Sequence, residues 1–116
     1  MKKKSANYLT YIPVHNESYR FKINEDGLVT IFKENTGVMN RLAQKFLGKP
    51  EISSIHLDRM GSFIWNEIDG RKNLIEIAES VKGEFGPEAE PLYERLVQYV
   101  RTLERCGFIY VRPSGD

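Results

Sequence analysis

Between Leu57 and Ile109 apolar residues recur at helical spacing in three successive stretches, which restricts the chain to folds that bury three amphipathic helices. In the first, IHLDRMGSFIWNEIDG, about 100° per residue gathers Leu57, Met60, Gly61, Ile64 and Ile68 into a narrow arc, with Trp65 on its flank. Asp58 stands at the N-cap position, where a carboxylate accepts from the unpaired N–H groups of the first turn. Asp69-Gly70 ends the element, because glycine takes the left-handed conformation without steric cost. The second stretch, NLIEIAESVKGEFG, opens with Asn73 and has Glu76 three residues on, the spacing of a capping box. Its stripe is Leu74, Ile77, Ala78, Val81 and Phe85. Phe63 and Ile75 fall off these stripes and must meet the sheet, the additional helix over 37–47 or a partner.

The third stretch, PLYERLVQYVRTLERCGFI, has more apolar surface than a bundle helix requires. Leu92, Leu96, Tyr99, Leu103 and Cys106 form one stripe. Tyr93, Val97 and Val100 form a second strip, rotated by roughly a third of a turn. Either the protein's own sheet or a partner must cover the additional arc. Cys106, near the helix end on the apolar side, reads as a small buried hydrophobe.

Upstream the pattern is β. Tyr19, Phe21 and Ile23 alternate with Arg20 and Lys22, a period of two with one buried face. Asn24-Glu25-Asp26-Gly27 is turn chemistry, and Leu28 to Lys33 returns as a second strand, making a hairpin. Before it, Tyr8 to His15 is apolar around Pro13, and a proline without an N–H restricts any strand there to an edge. Residues 37–47, GVMNRLAQKFL, read as a short amphipathic helix stopped by Gly48-Lys49-Pro50. Ile52 to Leu57 is the last strand of the sheet, with Ile55 and Leu57 inward and Ser54 and His56 outward. Phe108 to Arg112 is a short β-like tail that packs back on the sheet. Residues 1–7 and 113–116 read as frayed ends of a single domain spanning 1–116.

The order L-D-x-x-G-x-x-I-W-x-x-I-D-G, then L-I-E-I-A, then E-F-G, then L-E-R-C-G-F-I resembles the PqqD family of peptide-recognition elements. The likeness runs from Leu57 to Ile109, with residues 52–109 as the family-like core. It implies an α+β fold, a small antiparallel sheet followed by a winged-helix-like bundle of three helices. It also implies a binder rather than an enzyme, with no cofactor. Members hold the leader of a ribosomally made precursor peptide as an added strand and present it to a modifying enzyme, commonly a radical-SAM protein. Carried onto this chain, the resemblance assigns main-chain pairing to Ser53, Ser54, Ile55, His56 and Leu57. The helix side of the site is Tyr93, Val97 and Val100, with Arg101 and Glu104 as a polar rim. The helix over 37–47 is a departure, since minimal members pass almost directly from the second strand to the last, and it bears on whether the groove is covered.

Composition narrows the alternatives. The 116 residues are 41% hydrophobic with one tryptophan, enough for one modest core. A net charge of +1, from 17 basic and 16 acidic side chains, does not favour a nucleic-acid binder. A winged-helix DNA-binding protein is the main alternative, and Glu88, Glu90, Glu94 and Glu104 against Arg95, Arg101 and Arg105 argue against it. A protein–protein interaction module unrelated to peptide maturation is the other. His15 and His56 are far apart, and neither has Cys or carboxylate companions at metal-ligand spacing. The acidic run Glu84, Glu88, Glu90 and Glu94 reads as a solvated helix start rather than paired catalytic carboxylates. One cysteine excludes an internal disulfide, and no apolar run suits a membrane span or a signal peptide, so a cytosolic protein without a membrane partner is expected. An exposed sheet edge also permits a homodimer.

Overall fold

The turn chemistry at Asn24 builds the sheet it promises. In the computed structural model, which describes residues 8–34 and 52–114, the order is β1 (Ile12–His15), β2 (Arg20–Ile23), β3 (Val29–Glu34), β4 (Ile52–His56), α1 (Arg59–Glu67), α2 (Leu74–Phe85), a 3-10 turn at Gly86–Ala89, α3 (Leu92–Arg105) and β5 (Ile109–Arg112). Asn24 Oδ1 accepts from the N–H groups of Asp26 and Leu28 at 2.8 and 2.9 Å. Gly27 follows at φ +83°, a conformation that only glycine enters without strain. The architecture is the expected α+β arrangement, a small antiparallel sheet followed by a helical bundle. The segment 37–47, read as an additional helix, lies outside the described residues.

The described chain forms two compact units, one of residues 17–59 and one of residues 8–16 with 60–114. The first is the antiparallel sheet β2-β3-β4. Ile31 pairs with Phe21 on one side and Ile55 on the other, so these three side chains share a face, as do Val29 and Ile23. On the central strand Val29 and Ile31 are sealed from solvent. The edge strand β2 corrects the expectation of a buried face, since all four of its residues are exposed, Phe21 by 38% and Ile23 by 50%. The period-two pattern identified the face correctly, but only the central strand has a neighbour on both sides to help close it.

In the second unit the apolar stripes meet. α1 buries Gly61, Ser62, Ile64 and Trp65. α2 buries all five residues of its stripe, Leu74, Ile77, Ala78, Val81 and Phe85. Its start is a complete capping box. Asn73 Oδ1 accepts from the Glu76 N–H at 2.9 Å, and Glu76 Oε1 accepts from the Asn73 N–H at the same distance. Phe63, off its stripe, meets Phe85 edge to face at 5.5 Å, whereas Ile75 stays exposed. α3 buries Leu92, Leu96, Val100 and Leu103. It ends in a Schellman arrangement, with the Gly107 N–H donating to the Glu104 carbonyl and the Phe108 N–H to that of Leu103, both at 3.0 Å. Gly107, at φ +86°, makes this reversal possible. The chain then enters β5.

The tail does not join the three-stranded sheet. β5 pairs antiparallel with β1 in a separate two-stranded ribbon, Pro13 opposite Val111, so the proline sits on an edge as its missing N–H demands. Asn16 anchors the ribbon, its Nδ2 donating to the Gly107 carbonyl at 2.8 Å. His15 stacks on Trp65 at 4.1 Å, and its Nε2 lies 3.1 Å from the Trp65 carbonyl, which accepts from it. Burial holds this imidazole below its ordinary range, and the carbonyl contact offsets only part of the shift. The folded state therefore binds a proton less readily than the unfolded chain. The contribution of His15 to stability is fully present above the unfolded value of about 6.5 and is lost as pH falls below it. Urea midpoints measured from pH 7.5 to 5 are expected to drop below about pH 6.5, and His15→Gln is expected to flatten that part of the profile.

Candidate functional site

β4 is the terminal strand of its sheet, and among the described residues no strand pairs with its outer edge. The hydrogen-bond phase decides which main-chain groups face outward. The Leu57 N–H donates to the Val29 carbonyl at 2.9 Å. Because antiparallel ladders alternate, the bonded pairs going up the strand are then Ile55 with Ile31 and Ser53 with Lys33. The N–H and C=O groups of Ser54 and His56 point the other way. Their side chains are exposed, and Ile55 and Leu57 are partly buried, as the alternation predicted. His56 Nδ1 lies 3.1 Å from Thr30 Oγ1, a cross-strand contact of the close, non-bonded kind. A row of outward main-chain groups on a terminal strand accepts an extended chain by adding a strand.

The helix residues lie in the other unit. Tyr93 is 43% exposed and Val97 partly buried, and both line a groove of about 420 Å³ along α3 with Leu9, Glu94, Gln98, Arg101 and Arg105. The sequence left open whether a sheet or a partner covers the second apolar strip. Within this unit, part of the cover is the N-terminal segment. Leu9 forms a wall of the groove. Beside it, Tyr8 is buried, donates its hydroxyl to Glu104 Oε1 at 3.1 Å and has the Arg101 guanidinium 4.8 Å over its ring. Burial and the adjacent Glu104 carboxylate raise the Tyr8 phenol above its usual range, so it remains a donor at neutral pH.

Three sequence expectations change here. Val100 has no accessible surface and belongs with Leu96 and Leu103 in the core, so the accessible strip is narrower than expected. Glu104 accepts from Tyr8 and is not among the residues that line the groove. Cys106 is exposed, because it occupies the helix C-cap, beyond the last buried stripe residue, Leu103. The charge count on the helix also shifts. Glu88 and Glu90 precede Leu92, so α3 itself has Glu94 and Glu104 against Arg95, Arg101 and Arg105. Helix charge alone is therefore no argument against a nucleic-acid role.

Leu9, Glu94, Gln98 and Arg105 line the groove and were absent from the sequence reading of the site. Arg105 was within reach of it, since Tyr93, Val97, Arg101 and Arg105 form one i, i+4 row. Leu9 was not, because only the tertiary fold returns residue 9 to the helix. Among the described residues no group of three His, Cys, Asp or Glu is placed to hold a metal ion, and no helix is long and apolar enough to cross a membrane.

A terminal strand with outward main-chain groups and a grooved amphipathic helix suit a binding module. The sequence model of the family described as coenzyme PQQ synthesis protein D (PqqD) matches residues 39–109, more than half of the chain. The chain belongs to the PqqD family. Comparison with curated proteins and with solved structures finds no match. Membership in the PqqD family supports a general role in peptide recognition, as an adaptor. Within that family frame β4 and α3 are the elements on which the resemblance placed peptide contact, and each keeps accessible residues for it.

Proposed function

We propose that this protein is a non-catalytic adaptor that holds the leader segment of a ribosomally made precursor peptide as an added β-strand and presents it to a modifying enzyme of the radical-SAM class. The supporting observation is the outer edge of β4, where Ser54 and His56 direct their main-chain groups away from β3. A leader strand satisfies these groups and needs no particular side chain to do so, while its alternate side chains supply selectivity. The resemblance also assigns peptide contact to α3, and there Tyr93, Val97 and Arg101 line an accessible groove of their own unit. Val100 takes no direct part.

Calorimetric titration with the leader of a precursor peptide encoded beside this chain tests the reading. Binding is expected on the order of micromolar or tighter, with amide shifts concentrated between Ser53 and Leu57. No heat with any such leader, and no shift of those amides, would overturn it.

A further inference from the structure

The groove along α3 has a chemical direction. Its helix side is the row Tyr93, Val97, Arg101 and Arg105, apolar in the first two positions and basic in the last two. Leu9 also lines the groove, and Glu94 follows Tyr93 at the apolar end of the row, about two helical turns or more from the arginines. Arg101 is engaged by the Tyr8 ring, while the Arg105 guanidinium has no ion-pair partner among the described residues and is exposed. Arginine in the last turn of a helix also offsets the negative end of the helix dipole. That role alone does not require the arginines to continue an apolar row into a groove.

We propose that this groove reads one apolar side chain and one carboxylate from the same extended peptide, the apolar group seated against Tyr93 and Val97 and the carboxylate against Arg105. The proposal rests on the peptide-binding reading above and adds the chemistry of the peptide. Geometry sets the spacing. Val97 and Arg105 are eight residues apart, about 12 Å along the axis at 1.5 Å per residue. An extended chain advances about 3.3 Å per residue, and long helical side chains lean towards the N-terminus. Both side chains must leave the same face of the peptide, which alternation allows only at even spacings, so the carboxylate falls about four residues from the apolar anchor. A basic residue in its place meets like charge at Arg105, so the groove both selects and rejects.

Panning a display library of random 12-residue peptides against the whole protein tests this. The expected result is enrichment of sequences with an Asp or Glu about four residues from a large apolar residue, on the same face of the extended peptide. The Asp→Asn version of an enriched peptide is expected to bind about tenfold more weakly. Arg105→Glu should lose the acidic preference, and Arg105→Lys should keep it in part. Arg105→Lys should melt like the parent. Arg105→Glu should stay folded with a slightly lower melting point, since it sets a carboxylate at the negative end of the helix. Enriched peptides that bind but show no acidic preference, or a preference that survives Arg105→Glu, overturn the proposal and leave the adaptor reading standing. Absence of any enriched peptide overturns the groove proposal, and the adaptor reading then stands or falls by the leader titration above.

Discussion

Val100→Asp is expected to unfold the protein, while Val97→Asp, one helical turn earlier, is expected to leave it folded and abolish leader binding. The two valines look equivalent in sequence, since both belong to the second apolar strip of α3. Their surroundings separate them. Val100 has no accessible surface, so an aspartate there enters the core without water and without a cation built to receive it. The cost of an uncompensated buried charge is roughly 3–5 kcal/mol, a large share of the about 5–15 kcal/mol by which domains are stable. Val97 lines the groove and keeps contact with solvent, so its aspartate remains hydrated and costs about 1 kcal/mol or less. Its effect is on the guest, because an apolar side chain no longer finds an apolar seat beside Tyr93 and Leu9. Urea denaturation followed by titration with the leader checks both halves. Equal unfolding of the two variants, or undiminished leader affinity in Val97→Asp, contradicts the assignment of the two faces.

Ser54→Pro is expected to weaken leader binding by tenfold or more with the fold intact, and Ile55→Pro to disrupt the sheet. Proline removes one N–H and brings its ring to the same side. At Ser54 that N–H points off the outer edge, where β3 makes no use of it, and edge strands tolerate proline there. The leader loses a hydrogen bond, leaving an acceptor of its own unpaired at about 1–3 kcal/mol, and the ring obstructs its approach. At Ile55 the N–H faces Ile31 in the ladder, so the loss falls within the protein. Circular dichroism melts and calorimetry on the pair provide the check. If Ser54→Pro binds the leader normally, the outer edge of β4 is not where the peptide lies.

Local chemistry explains which parts of this molecule were legible in sequence. Asn73 and Glu76 are three residues apart and their contact is local, so the capping box forms as read. The Asn24 turn is equally local. The α2 stripe was also sound, because a helix offers a bundle only one face, and the five residues of the stripe are buried while Ile75, off it, is exposed. The errors arose where burial depends on distant partners. Phe21 and Ile23 have the pattern of a covered face, but they lie on an edge strand and remain exposed. Val100 and Val97 share a strip, but only one is sealed. Nothing in the sequence marks Leu9 as a wall of the groove or Tyr8 as the partner of Glu104, since these contacts join positions about ninety residues apart. The stacking of His15 on Trp65 escaped for the same reason. Of the candidate site, alternation separated the side chains of Ser54 and His56 from those of Ile55 and Leu57, but it did not sort the main-chain groups. Pairing was expected of all five residues from Ser53 to Leu57, and the ladder turns the groups of Ser53, Ile55 and Leu57 towards β3. The groove was visible only in part.

Strand addition has a signature that no other mode of binding at β4 shares, and amide hydrogen exchange reads it residue by residue. With the leader bound, the Ser54 and His56 amides should slow strongly, while Ile55, already bonded to Ile31, should change little. Slowing at alternate amides along β4 is the outcome expected here. A leader that binds tightly yet leaves Ser54 and His56 exchanging as they do without it would contradict strand addition at this edge.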